Sequence, residues 1–333
     1  MRKNLLAFLL FFIIVLVSQK AYNQDTITSS INKNTPQLNG ILKTKLEFDL
    51  ENRLYKFSVR NARFSIRDDI NDFFGYKMEI DFSDEGKISM LDAYIKFNPT
   101  ENFEISLGQR KIPFGTDYMR NPAENFFANR SFVSKYINSG LRDIGAIINY
   151  KRKIIIPTEI FLAALNGTGN NNPNWVKIPD FAGRLVLGNE KGLRITANGF
   201  MGEKELEKNL HIFGYEARYA TDVFLIESEF IHRNWTDTSD VRLSEEGIYL
   251  HTYYKFNITG KNLKNITPTA RWDLMSKNIF ESESFAERLT LGLNFGFEKK
   301  LFYSEIRLNY EKYFITDLPE HTDKLVIEFL ARF

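Results

Sequence analysis

The chain has 333 residues, no cysteine, 26% charged residues and a formal charge of +2 from 44 Lys and Arg against 42 Asp and Glu. Without Arg2, Lys3 and Lys20 the balance is 41 basic to 42 acidic residues, which argues against nucleic-acid binding. The lack of cysteine excludes structural disulfides, thiolate metal sites and a cysteine-anchored lipid.

Residues 1–23 have the pattern of a secretory signal peptide. Arg2 and Lys3 form its positive end, residues 5–17 its apolar core, and the small residues Ser18 and Ala21 follow, with cleavage expected within residues 21–24. Residues 24–39 are polar, without periodicity, and are expected to form a flexible tail. No later stretch approaches the roughly 20 apolar residues of a membrane helix. Barrel strands escape that test, because only alternate residues face lipid.

From residue 40 the sequence alternates. Leu42, Thr44, Leu46, Phe48 and Leu50 oppose Lys43, Lys45, Glu47 and Asp49; Tyr76, Met78, Ile80 and Phe82 oppose Lys77, Glu79 and Asp81. The pattern continues through Phe213, Tyr215, Ala217 and Tyr219 against Glu216 and Arg218, and through Leu289, Leu291, Leu293, Phe295 and Phe297 against Arg288, Thr290 and Asn294. It ends with Leu325, Ile327, Phe329, Ala331 and Phe333 against Val326, Glu328, Leu330 and Arg332. Period two over such lengths means strands whose faces meet different surroundings. Only the segments around Ala62 and Leu91 slip parity, which marks expected bulges.

Sixteen such strands can be counted, the first beginning near residue 40 and the last near residue 323. Long polar connectors are expected at 116–140, 167–179, 201–210, 233–245, 275–286 and 311–322, alternating with short ones. An all-β fold follows: a transmembrane antiparallel up-and-down β-barrel of about sixteen strands, with the last strand paired to the 40–50 strand and both ends on the periplasmic side. The inward parity is charged and bulky, as a water-filled lumen requires and a dry core could not satisfy. The 14% of aromatic residues, 30 Phe and 15 Tyr, suits interfacial girdles.

His211, His232, His251 and His321 have no ligand-like spacing, so neither a metal site nor a cofactor is expected. His251 has inward parity, but nothing around it forms a catalytic motif; the chain is not expected to be an enzyme. The glycines of residues 166–173 lack a Walker lysine and suit a loop tip.

Several segments together resemble the phosphate-selective porin O/P family. They are Arg60-Asn-Ala-Arg-Phe64, Met78-Glu-Ile-Asp-Phe82, Leu91-Asp-Ala-Tyr-Ile95, Leu107-Gly-Gln-Arg-Lys-Ile-Pro-Phe-Gly115, Leu141-Arg-Asp-Ile-Gly145 and Leu165-Asn-Gly167. The resemblance implies a sixteen-stranded channel, usually a homotrimer, whose loop after the fifth strand (residues 116–140) folds into the lumen. Arg120, Arg130 and Lys135 in that loop, with Arg110, Lys111 and Arg142 at its roots, are then the candidate constriction and solute-binding residues. Arginine suits phosphate through its planar fork of donors. The strand positions Arg184, Arg194, Arg218, Arg271, Arg288 and Arg307 are expected to face the lumen together with Glu216, Glu227, Glu229, Asp273 and other carboxylates. Many of these arginines have a purely structural reading, as partners of carboxylates across strands.

The expected function is passive diffusion of small hydrophilic solutes, with a possible preference for anions or phosphate, through the outer membrane of a Gram-negative cell. The partners are outer-membrane lipid and the solutes. The competing reading is a non-conducting barrel whose loops bind a surface partner, with Tyr249 and Tyr253 closing the lumen.

Overall fold

The computed structural model describes residues 36–84, 86–137, 140, 142–153, 155–204, 206–280, 284–299, 302–316 and 322–333. The expected signal peptide, most of the expected tail and His321 lie outside the described residues.

Antiparallel strands follow one another around a single sheet. The first five are β1 (Gln37–Asp49), β2 (Leu54–Asp69), β3 (Phe74–Asp84), β4 (Lys87–Thr100) and β5 (Phe103–Lys111). A long connector then carries two short helices, α1 (Thr116–Met119) and α2 (Phe132–Ile137), before β6 (Arg142–Arg152), β7 (Thr158–Leu165), β8 (Asp180–Gly188) and β9 (Gly192–Lys204). Next come β10 (Glu207–Ala220), β11 (Phe224–Thr236) and β12 (Arg242–Tyr254), and the two-residue β13 (Phe256–Asn257), which pairs only with β14. The last strands are β14 (Leu263–Ser276), β15 (Ser284–Lys299), β16 (Phe302–Thr316) and β17 (Lys324–Arg332). Leaving β13 aside, sixteen strands make the wall.

The sheet closes where β17 pairs with β1, from Ile41↔Arg332 to Asp49↔Lys324. Gly40 and Phe333 exchange both backbone hydrogen bonds at 3.1 Å, so the closing pair leaves no open edge there. On the inner side Lys43 Nζ meets Glu328 Oε2 at 2.9 Å. On the outer side Leu325, Phe329 and Phe333 are exposed, whereas Val326, Glu328 and Leu330 are buried. The same split recurs around the wall: Phe57, Met78, Ile95, Leu107, Leu162, Ile195 and Tyr215 point outward and are exposed. Outward apolar and inward polar faces are the arrangement that hydrocarbon outside and water inside select.

Both expected bulges are present. Lys43 opposes Asn61 and Thr44 opposes Val59, leaving Arg60 as the extra residue. Glu79 opposes Asp92 and Ile80 opposes Met90, leaving Leu91 extra. Further register shifts lie near the strand ends, for example between Glu287 and Arg288.

Two expectations need correction. The barrel begins at Gln37, which pairs with Arg67, so residues 37–39 are strand and not tail. The expected long connectors at 201–210 and 233–245 are largely strand, and those at 275–286 and 311–322 are strand at residues 275–276, 284–286 and 311–316. Lys204 pairs with Glu207, and Thr236 with Arg242. Polarity on both faces marks where the wall leaves the apolar belt, but it does not end a ladder whose backbone hydrogen bonds continue. The long connectors that remain join β5 to β6 and β7 to β8. They lie at the rim opposite Gly40 and Phe333, called here the loop rim and the closing rim.

Candidate functional site: the lumen and its inward connector

The connector after β5 turns inward because its first residues are apolar and break the strand. Pro113 cannot donate to a ladder, and Gly115 takes φ 73° at the head of α1. Ile112 and Phe114 bury against Ile147, Leu165, Phe200, Leu210 and Ile212 of the inner wall. Phe132, Val133 and Ile137 of α2 pack on Ile231, Tyr249, Met275 and Ala286. At about 1.5–3 kcal/mol per fully buried side chain, these contacts supply the main drive for infolding.

Polar contacts set the position. The backbone N–H of Thr116 donates to Glu229 Oε1 at 2.8 Å, and its hydroxyl donates to Glu216. Arg120 donates to both oxygens of Glu227 at 2.7 Å, and the Tyr249 hydroxyl bridges Glu227 and Glu229 at 3.1 and 3.0 Å. On the opposite wall Asn294 donates to the Phe126 carbonyl at 2.8 Å, and Asn309 accepts from the Ala128 N–H at 2.7 Å. Arg271 and Arg288 donate to the Arg130 carbonyl at 3.1 and 3.0 Å, and both pair with Asp273 at 2.9 Å. Ser131 donates its hydroxyl to the same Asp273. Arg233 donates to the carbonyls of Tyr136 and Ile137 at the end of α2. The connector is thus tied to β10–β12 on one side and to β14–β16 on the other.

The expected constriction residues fall into three groups. Lys111, Arg120 and Arg130 come together at the end of α1, where Lys111 donates to the carbonyls of Tyr118, Met119 and Arg120, and Arg130 to those of Asp117 and Arg120. Arg142, the first residue of β6, reaches to carboxylates of β3 and β4, 2.6 Å from Asp92 and 3.7 Å from Glu79. Arg110 is directed toward the closing rim, bonded to Glu104 and Ser106 and stacked over Tyr94. Lys135 stays exposed, over the Tyr136 ring at 5.4 Å.

Among the expected lumen residues, Arg184 bonds Asn198 and Thr116, Arg194 bonds Glu216 at 2.9 Å, Arg218 bonds the Glu190 carbonyl, and Arg307 bridges Glu305 and Glu328. Arg184, Arg271, Arg288 and Arg307 are buried and hold the wall or the connector. Burial works against the charge of Arg120, yet Glu227, Tyr249 and Asp117 together outweigh it and raise its pKa; burial, only partly offset by Asp117, lowers that of Arg130.

The charges are layered. In the pairs Arg120–Glu227 and Arg194–Glu216 the cation keeps 10% and 13% of its side-chain exposure and the carboxylate none. Arg130–Asp117 and Lys77–Asp92 follow the same order, at 19% against 6% and 24% against 7%. Arg110–Glu104 reverses it, at 19% against 27%, and so do Lys45–Glu47, Arg142–Asp92, Arg233–Glu207 and Arg307–Glu305. Beside α1, then, carboxylates lie against the β10–β11 wall and cations lie in front of them.

Residues not singled out in advance as anchors include Thr116, Ser131, Arg233, Asn294 and Asn309. The inward parity of Asn294 and Asn309 is visible in the sequence, but the connector contacts of all five span 96 to 181 residues, and no local signal reports that. His251 lies under the connector, stacked on Tyr249 at 5.6 Å, and His232 pairs with Glu246 at 2.9 Å. Among the described residues no group of three or more His, Asp or Glu is arranged to hold a metal ion. A cavity of about 600 Å³ opens at the closing rim beside Asp72, Glu101, Glu104 and Lys151, away from the connector.

The family of phosphate-selective porins O and P matches residues 45–198, from β1 into β9. Over these 154 of its 333 residues the chain is similar to that family. The matched part of this porin contains the Ile-Pro-Phe-Gly turn and the whole inward connector, while most of the connector's anchors lie beyond it in β10–β16. No curated protein matches the chain. Among solved structures, the fold is similar to an anion-selective porin from Comamonas acidovorans (11% identity, TM-score 0.61, 90% of this chain and 98% of that one). It is similar too to Salmonella typhi OmpF in complex with daunomycin (10%, TM-score 0.62, 90% and 97%) and to the trimer form of Vibrio cholerae OmpT (11%, TM-score 0.59, 90% and 99%). At such identities the likeness is one of fold.

One glycine tests how tightly the connector is held. A Cβ on Gly247 would stand 2.6 Å from Ile137 and 2.7 Å from Val133 of α2. Gly247→Val is therefore expected to lift α2 from the wall, costing about 1–3 kcal/mol. The check is a lower urea midpoint for the folded barrel together with noisier, larger single-channel currents.

Proposed function

We propose that this porin is a passive channel of the Gram-negative outer membrane for small hydrophilic solutes, and that it prefers anions. The observation that carries the preference is the charge layering beside α1, where cations stand between the water and the carboxylates. A solute passing there meets Arg120, Arg130 and Arg194 first, in a confined space where such charges act strongly. Phosphate enters on this reading as one small anion among others. The closing rim, with both chain ends, faces the periplasm; residues 1–23 are removed on export; and three copies assemble, a reading that the trimer form of OmpT supports.

A second reading, a barrel closed by its connector, draws support from Phe126, whose ring meets that of Tyr253 at 4.4 Å. Tyr249 and Tyr253 themselves lie on one face of β12 and do not meet across the lumen. Purified protein added to a planar lipid bilayer in symmetrical potassium chloride separates the two readings. Stepwise conductance increments are expected, and a barrel that inserts without steps would sink the channel reading.

A further inference from the structure

We infer that the lumen holds a binding subsite for planar aromatic carboxylates, formed by the rings of Phe126 and Tyr253 and the guanidinium groups of Arg194 and Arg218, on the side of the connector facing the closing rim. The inference rests on the channel reading above and adds a class of solute to it.

Phe126 and Tyr253 pack with ring planes tilted by 39°; Arg120 lies over the Phe126 ring at 5.3 Å, and both rings remain half-buried, with part of their surface accessible. Arg194 and Arg218 are direct cross-strand partners on β9 and β10, with inward side chains. Like charges placed opposite one another are unfavourable unless something shared lies between them.

The nearby carboxylates are already engaged. Glu216 serves Arg184, Arg194 and Thr116; Glu227 serves Arg120 and Tyr249; Glu229 serves Thr116 and Tyr249. Arg194 bonds only Glu216 and Arg218 only the Glu190 carbonyl, and the Nε of each has no partner among the described residues. A carboxylate between the two forks supplies the missing counter-charge through charge-assisted hydrogen bonds.

Spacing favours a ring on the same solute. Arg218 opposes Glu227, Glu227 opposes His251, and Tyr253 stands two residues beyond His251. At ~4.8 Å between strands and ~3.3 Å per residue, the Cα atoms of Arg218 and Tyr253 are about 12 Å apart. With both side chains reaching inward, the gap suits one small arene carboxylate, whose ring lies on Phe126 and Tyr253.

The test uses the full-length porin in planar bilayers with sodium benzoate, cyclohexanecarboxylate and acetate, recording conductance against concentration. Benzoate current is expected to saturate at about tenfold lower concentration than acetate current, with cyclohexanecarboxylate in between. Phe126→Leu combined with Tyr253→Leu should bring benzoate to the level of cyclohexanecarboxylate, and Arg218→Lys, which keeps the charge but loses the fork, should weaken benzoate about threefold. Heat-modifiable gel mobility verifies that each variant is folded, and the single Tyr253→Leu variant serves if the double one is not. Equal saturation by benzoate and acetate in the unaltered porin, or a benzoate preference that survives the ring substitutions, overturns the inference. An anion-selective channel with no benzoate preference overturns this subsite alone, whereas cation selectivity overturns the reading on which it rests.

Discussion

Excising residues 117–136 and joining the ends through a short Gly-Ser link is expected to raise single-channel conductance roughly two- to fourfold, because the connector spans the lumen from β10–β12 to β14–β16. The same change is expected to turn the selectivity toward cations. With the connector goes the front layer of charge supplied by Arg120 and Arg130, and Glu216, Glu227 and Glu229, now buried beneath it, come to face water. A simple widening would lose selectivity without reversing it. Paired conductance and ion-selectivity measurements on the excised porin separate the two outcomes. Retained anion preference after excision would show that the layering is not its source.

Asp273→Ala is expected to have the largest effect on stability. Asp273 is fully buried and accepts from Ser131, Arg271 and Arg288. Its loss leaves Arg271 without that carboxylate, while Arg288 keeps Glu311 at 3.4 Å. Stranding a buried charge costs about 3–5 kcal/mol, far more than the net worth of an intact pair. Because both guanidinium groups also hold the carbonyl of Arg130, the cost should appear twice. The urea midpoint of the folded barrel should fall, and open-channel noise should rise as the connector loosens. Lys191→Ala removes an exposed pair with Asp222 and serves as the control, expected to change stability by about 0–1 kcal/mol. Equal effects of the two substitutions would mean that the buried network contributes nothing special.

Most of the wall was legible in the sequence for a physical reason. Lipid outside and water inside force a period of two, so the strands, their parity and the closure of β17 on β1 follow from alternation. Even the bulges at Arg60 and Leu91 left a trace, as slips of parity. Strand ends were not legible, because above the apolar belt both faces become polar and the alternation fades while the ladder continues to Lys204 and Thr236. The site was legible in residue type alone. Arg120 and Arg130 could be named from their place in the connector, but not that Glu227 and Asp117 stand behind them. Which carboxylate a lumen arginine meets depends on register and on how the connector docks, and neither leaves a local mark. That is also why Arg271, Arg288 and Arg307 could be read as lumen-facing, but not that they donate to carbonyls of the connector.

The central claim is that cations form the surface a solute meets while carboxylates form the layer behind. The most direct measurement is the reversal potential of the reconstituted porin across a tenfold gradient of potassium chloride at neutral pH. The account predicts a potential with the sign set by chloride, moving toward zero as salt is raised and the charges are screened. A potential with the sign set by potassium would contradict it.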